Sequence, residues 1–407
     1  MSRCRFCAAP LQRTFANLGM SPLANSYLEA EQLSQAERFY PLHALVCEQC
    51  HLVQLEAFES REAIFSDYAY FSSYSTSWLE HCERYVEMIV ERLGLTQSDR
   101  VVEIASNDGY LLRNFVRIGI PVLGVEPAAN VARVAEEAGI PTRVAFFGRD
   151  MARTLAGEAR ASLIIGNNVL AHVPDLNDFV AGLKILLAPG GVITMEFPHL
   201  MRLVEGNEWD TIYHEHFSYF SWLTVSRVFA AHGLRLWDVE EIPTHGGSLR
   251  IYAVHDEDER SQTERARELG ERERAAGYED LAMYEAYAEL VVASRWEVLE
   301  FLISARRAGK RIVGYGAPAK GNTRLNYCGI GPDLIEFTVD LSPHKQGRYL
   351  PGTHLPIRAP EAIAESRPDL VFVLPWNLRE EISRQLSYVR EWDGRLVVPA
   401  PALEVLA

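Results

Sequence analysis

Arg100-Val-Val-Glu-Ile-Ala-Ser-Asn-Asp-Gly-Tyr-Leu-Leu112 reads as a buried strand that ends in an acid, a turn of small residues and then a helix start. Such a turn lets a ligand approach the backbone. About twenty residues onward, Val122-Leu-Gly-Val-Glu126-Pro127 is a second short strand ending in a carboxylate. Residues 163–166 and 192–197 are further short apolar runs, set off from one another by helix-like sequence. Strands alternating with helices imply a parallel α/β sheet. The same texture returns in residues 311–315, 335–339, 370–374 and 396–398, so a second α/β domain is expected to close the chain. Between the two, residues 256–309 are rich in Glu, Arg and Ala and then amphipathic through Leu281, Tyr284, Tyr287, Leu290 and Val291, which reads as a helical linker.

The chain has 407 residues, with 40 Lys and Arg against 55 Asp and Glu, a formal net charge of −15. Its 48% apolar and 23% charged residues are ordinary globular composition, enough for two or three domains with sizeable cores. The acidic balance argues against partners held by long-range attraction to phosphate backbones or anionic lipid, so neither nucleic acid nor membrane is an expected partner. No signal-peptide or membrane-spanning run is present, and a cytoplasmic location is expected. Six cysteines are too few for a disulfide scaffold.

Cys4 and Cys7 form one CxxC pair, and Cys47 and Cys50 another. Two such knuckles present four thiolates to one tetrahedral ion, and zinc is the natural occupant. Four sulfur ligands leave no open position for water, so the site is expected to be structural and to organise residues 1–65. Unligated thiols or a redox pair are the alternatives, and His43 and His51 lie close enough in sequence to replace a cysteine. Cys82 and Cys328 read as packed thiols.

An acid ending the second strand is the usual holder of a ribose diol. Because the first strand is not followed by GxGxxG, a cofactor without a pyrophosphate is favoured, and S-adenosylmethionine fits. Glu103-Ile-Ala-Ser-Asn-Asp-Gly109, Gly124-Val-Glu-Pro127 and Asn167-Asn-Val-Leu-Ala-His-Val-Pro-Asp175 resemble the motifs of S-adenosylmethionine-dependent methyltransferases. More narrowly, they resemble the sugar-nucleotide C-methyltransferases, whose zinc module, methyltransferase domain and C-terminal Rossmann-like domain fall here in order across the chain. The resemblance implies a zinc-binding module over 1–65, a cofactor domain over 66–255, the linker over 256–309 and a sugar-nucleotide domain over 310–407. It places Glu103, Ala105, Ser106, Asn107, Asp108, Gly109, Glu126, Pro127, Phe147, Asn167 and Asn168 on the cofactor. Ala105 stands where many methyltransferases carry the first glycine of the loop.

Tyr213-His-Glu-His216 is the densest cluster of proton-transfer groups in the chain. Methylating carbon requires removing a poorly acidic proton beside a ketone and holding the enolate, work for a near-neutral base and a hydroxyl donor. By resemblance His216 is the base, Glu215 and Tyr213 are its orienting or hydrogen-bonding partners, and His172 lies near the substrate carbonyl. In an extended segment Tyr213 and Glu215 would share one face and His216 the other, so a local turn is required. The HExH spacing is wrong for the zinc-peptidase motif HExxH. Tyr68-Ala-Tyr70-Phe-Ser-Ser73 resembles a segment that covers the sugar, with Tyr70 reaching the site, and His245-Gly-Gly-Ser-Leu-Arg250 is a loop that can complete the pocket.

Gly314-Tyr-Gly-Ala-Pro-Ala-Lys-Gly-Asn-Thr323 follows a predicted strand and opens a helix, where backbone N–H groups and Lys320 could cradle a diphosphate. It is not a Walker A loop. The resemblance implies that Pro318, Lys320, Asn322 and Thr323, with His344 and Lys345 of the next loop, bind a nucleotide-linked keto sugar. The expected activity is therefore methyl transfer to the carbon beside the ketone of a TDP-type 4-keto-deoxysugar. Methylation of oxygen or nitrogen, a non-catalytic sugar-nucleotide scaffold, and a zinc-ribbon nucleic-acid methyltransferase are the competing readings, the last disfavoured by charge.

Overall fold

The computed structural model describes residues 2–60, 73 and 76–406. The expected Tyr70 contact, with Tyr68 beside it, lies outside the described residues. Among the described residues the strands form three sheets. The largest contains β4 (Val101–Ile104), β5 (Val122–Glu126), β6 (Thr142–Val144), β7 (Ala161–Asn167), β8 (Leu187–Pro198), β10 (Leu234–Ile242) and β11 (Ser248–His255). Their spatial order is β10-β11-β8-β7-β4-β5-β6. Adjacent strands from β6 to β8 pair in parallel, and β11 is antiparallel to both neighbours. Every residue of β4 is buried because helices cover both faces of the sheet, which explains its continuous apolar reading. The chain moves outward from β4 to β5 and β6 and then returns to lay β7 on the other side of β4. Ligands of open α/β sheets bind outside the carboxyl ends of the strands at such a reversal.

The amino-terminal sheet consists of β1 (Arg13–Ser21), β2 (Tyr40–Val46), β3 (Val53–Gln54) and β9 (Ser218–Tyr219), in that order. Its last strand comes from the middle of the chain. Val53 pairs with Tyr219 and Gln54 with Ser218, so the metal module is tied to the segment that directly follows His216.

The carboxy-terminal sheet holds β12 (Ile312–Tyr315), β13 (Thr338–Val339), β14 (Ile357–Arg358), β15 (Leu370–Val373), β16 (Arg395–Val398) and β17 (Glu404–Leu406). The order is β14-β13-β12-β15-β16-β17, parallel except for the last strand. Here too the order reverses, at β12, and the Gly316–Lys320 loop leaves from that point.

The segment read as a linker forms the helices Glu264–Ala275 and Leu281–Arg307. The long one is a shared strut. Its Tyr287 stacks on Phe15 of β1 with ring centroids 4.7 Å apart, and its Ser294 accepts a hydrogen bond from Trp209 Nε1 at 3.1 Å. The charged texture before it conceals Glu273, fully buried, whose carboxylate accepts from the backbone N–H groups of Trp222 and Leu223 and meets His199 Nε2 at 2.7 Å. A carboxylate at the start of the helix Trp222–Ala230 satisfies amides that no helical carbonyl can reach. Among the described residues no helix is long and apolar enough to cross a membrane.

Candidate active site

A cavity of about 1940 Å³ opens beyond the carboxyl ends of β4, β5, β7 and β8 and extends to the carboxy-terminal sheet. Ala105, Asn107, Glu126, Pro127, Phe146, Phe147, Asn167 and Asn168 line its central part. In the first loop Ala105, Asn107 and Gly109 have φ of 57°, 50° and 76°. Only glycine enters this region freely, and at Gly109 a Cβ would fall 2.2 Å from Ile140 Cδ1. Ala105 keeps the path a glycine would take, at a cost of order 1 kcal/mol.

Glu126 ties two loops together: its Oε2 accepts from Asn107 N and its Oε1 from Ala128 N, both at 2.9 Å. Burial raises its pKa and the two amides oppose that rise. A carboxylate has about four acceptor sites, so both hydroxyls of a ribose can still be accommodated. That capacity, beside Phe146 and Phe147, fits S-adenosylmethionine. Glu103, Ser106, Asp108 and Gly109, also expected at the cofactor, belong to the same strand and loop but are not among the residues that line the cavity. Glu103 is fully buried near Cys82 and Tyr110, and burial holds its carboxyl well above the usual range. Asp108 Oδ2 accepts from Ser73 N at 3.2 Å.

The Tyr213–His216 segment is the turn that convergence requires. His216 N donates to Tyr213 O at 2.9 Å, which brings the two rings to 4.1 Å between centroids. His172 stands edge-on to His216 at 4.7 Å, and burial lowers its pKa to about 4. His216 Nδ1 lies 2.9 Å from Thr211 O; donation of its proton to that carbonyl leaves the lone pair of the neutral imidazole on Nε2. Tyr213, Glu215, His216 and His172 all line the cavity. His214 turns away, with Nε2 3.2 Å from Pro41 O and its ring against Tyr40.

Glu215 differs from expectation. Its Oε1 accepts from Asn25 Nδ2 at 2.7 Å, while the His216 Nδ1–H goes to the Thr211 backbone carbonyl. Burial raises the Glu215 pKa, and the Asn25 amide offsets part of that rise. Asn25 is a residue that sequence reasoning missed, as are Thr211 and Tyr27. Nothing in Ser21-Pro-Leu-Ala-Asn-Ser-Tyr27 reveals that Asn25 meets a carboxylate 190 positions away. Also missed was a polar cluster on another wall of the cavity, where Glu196 Oε2 meets His81 Nε2 and Arg250 at 2.9 Å each and its Oε1 accepts from Thr244. Its one advance signal was Arg250 at the end of the Gly246-Gly247 loop.

At the carboxy-terminal sheet Pro318, Lys320, His344 and Lys345 line the same cavity. Gly316 has φ of 87°, and a Cβ there would fall 2.6 Å from Pro375 Cδ, so the loop needs glycine. Asp340 Oδ2 accepts from Ala317 N at 2.7 Å; the Ala317 carbonyl accepts from Tyr27 OH at 2.7 Å and Lys345 Nζ at 3.0 Å. Lys320 lies over the Trp376 ring at 4.2 Å, and burial lowers its pKa. Asn322 and Thr323 are corrections. Both are buried inside the domain, where Asn322 Oδ1 accepts from Asn326 Nδ2 and Thr323 donates to Ala319 O, because a helix that opens at the cavity points its next turn into the core.

The four paired cysteines meet: Cys4 and Cys50 sulfurs are 3.5 Å apart, Cys7 and Cys47 3.4 Å, and all four lie within 4.8 Å of one another. A tetrahedral zinc with bonds of about 2.3 Å sets its sulfurs about 3.8 Å apart, so the residues fit the ion. His43 bonds Thr14 and His51 contacts Arg227, outside the cluster. Gln54 Nε2 donates to Cys4 Sγ at 3.2 Å while its Oε1 accepts from Arg5 N. Arg5 in turn donates to Pro174 O and Leu55 O and covers the Phe217 ring.

Three family matches follow the same order: a zinc binding domain over residues 4–65, a methyltransferase domain over 78–239 and a C-methyltransferase C-terminal domain over 243–401. The chain is 35% identical to the C-methyltransferase NovU of Streptomyces niveus, over 100% of this chain and 97% of that one. It is 32% identical to a ubiquinone biosynthesis O-methyltransferase of Methylobacterium sp. (strain 4-46), but over only 23% of this chain and 38% of the other. The crystal structure of the PH0226 protein from Pyrococcus horikoshii OT3 aligns with 49% of this chain and 99% of its own, at 16% identity and a TM-score of 0.38. With a full-length relative that methylates carbon, matches in all three parts, and residues that suit both zinc and a ribose-bearing methyl donor, the chain belongs to the S-adenosylmethionine-dependent C-methyltransferases.

Proposed function

We propose that the protein methylates the carbon beside the ketone of a nucleotide-linked 4-keto-deoxysugar, of the TDP type, in the cytosol, with His216 as the base. The observation that carries the reading is the hydrogen bond from His216 Nδ1–H to the Thr211 carbonyl, which assigns the lone pair to Nε2 in a cavity that also holds Tyr213 and His172. A neutral imidazole with a fixed tautomer suits removal of a carbon-bound proton. Bound S-adenosylmethionine supplies an electrophilic methyl group.

His172 remains neutral at physiological pH, since burial lowers its pKa to about 4. A neutral imidazole and the Tyr213 hydroxyl can donate to a developing enolate oxygen without leaving a buried charge behind. Glu215, held by Asn25, is suited to a sugar hydroxyl. Pro318, Lys320, His344 and Lys345 suit the diphosphate, and their position on the same cavity as His216 supports a ligand with an anionic end and a reactive end.

Deuterium exchange tests the base without requiring turnover. With the TDP-linked 4-keto-deoxysugar, S-adenosylhomocysteine and D2O, the parent enzyme should exchange the proton beside the ketone. His216→Asn should lower both exchange and kcat by about 10²–10⁴-fold while still binding S-adenosylhomocysteine. Methylation of oxygen or nitrogen without exchange would replace the proposed reading.

A further inference from the structure

Thr211 O, which accepts from His216, belongs to the one-turn helix Trp209–Thr211, and that turn is inserted into the carboxy-terminal domain. Trp209 and Asp210 are both fully buried. Asp210 Oδ2 accepts from Arg324 Nε at 2.9 Å, and Arg324 Nη2 stands 2.8 Å from the same oxygen. Trp376 Nε1 reaches both Asp210 oxygens, at 3.2 and 3.0 Å. The Arg324 guanidinium also covers the Trp209 ring at 4.4 Å.

An ion pair removed from water is a poor source of net stability but tolerates little displacement, because a separated buried charge is costly. Its value is positional. The carboxylate of Asp210 is immobilised by two side chains of another domain, and the next carbonyl in the chain sets the ring of His216. Arg324 is one helical turn beyond Lys320, and the face of the Trp376 ring whose Nε1 holds Asp210 also carries Lys320. The same helix therefore reaches the anion end of the cavity through Lys320 and, through Arg324, the turn that carries the acceptor of the imidazole proton.

We propose that Asp210, Arg324 and Trp376 are positioning residues which hold the Thr211 carbonyl in place and so keep His216 in its productive tautomer and orientation. The proposal rests on the reading of His216 as the base. It assigns a catalytic consequence to a buried pair, Asp210 and Arg324, that does not line the cavity.

The test uses the full-length zinc-bound enzyme. Two variants are compared with the parent: Asp210→Asn combined with Arg324→Gln, which removes both charges together, and Trp376→Phe, which removes one donor and keeps the ring. Ring nitrogen spectra of [15N]histidine-labelled protein, with His216→Asn to identify the signal, report the tautomer directly. The double variant should lose the His216 Nδ1–H signature and at least 30-fold in kcat, with KM for S-adenosylmethionine within threefold; Trp376→Phe should lose three- to tenfold in kcat. A folded double variant with kcat within threefold of the parent, or with a large kcat loss and an unaltered His216 signal, overturns the proposal. If the double variant does not fold, Trp376→Phe decides, and an unchanged kcat and signal there overturn it equally. Full activity of His216→Asn refutes the base assignment itself, an outcome distinct from either.

Discussion

At the residue scale, burial rather than proximity to charge sets most of the titration behaviour around the cavity. Glu208 lines it, and burial pushes its carboxyl up to about 8, with Asp210 adding to the rise and Lys320 opposing it. An unfolded Glu ionises near pH 4.5, so between there and pH 8 the folded state binds more protons. Stability from this group is greatest at low pH and declines as pH rises through that window. Glu208→Gln should therefore gain about 2–4 kcal/mol relative to the parent between pH 5 and pH 8, measured by denaturant unfolding at both values; equal differences at both would refute the shift. Some residue-level chemistry could be read directly, since a strand ending in Glu126 and a cluster such as Tyr213 to His216 are local patterns. Asn25 and Asp210 could not, because each acts through a partner supplied by distant chain, and Thr211 could not because only the folded turn brings its carbonyl to the ring of His216.

At the scale of elements, the pairing of β3 with β9 makes the metal module part of the support of the Tyr213–His216 turn. Leu55 N donates to Phe217 O at 3.0 Å, and Phe217 N to Ala171 O at 2.7 Å, so the residue after His216 is held from both sides. The cofactor loop belongs to a different sheet. Removing zinc with a chelator should thus lower kcat at least tenfold, by analogy with the 10–100-fold effects of losing metal support, while affinity for S-adenosylhomocysteine measured by calorimetry stays within about threefold. Loss of cofactor affinity would show instead that the module supports the central sheet. Short apolar runs announced β4, β5, β7, β12 and β15 because buried strands need them. The two-residue β9 gave no such signal, and the charged stretch before the long helix hid the buried Glu273.

For the whole molecule, one cavity touches the metal module, the central sheet and the carboxy-terminal sheet, through Asn25 and Tyr27, Glu126 and His216, and Lys320 and Lys345 respectively. A substrate that spans it would be anchored at one end and react at the other. Lys320→Ala should then raise KM for the TDP-linked sugar about 10–100-fold, the worth of one charge-assisted hydrogen bond, with kcat within about threefold in steady-state assays. A fall in kcat alone would place Lys320 in the chemical step. By itself the sequence determined the α/β class, the paired-cysteine metal centre, the acid-ended strands and the Tyr213–His216 cluster, because periodicity and motif spacing are written along neighbouring positions. Only the tertiary structure decided that Glu215 meets Asn25, that a carbonyl sets the His216 ring and that Arg324 stands behind it, because a hydrogen bond depends on distance in space and the partners here lie in different domains or turns of chain.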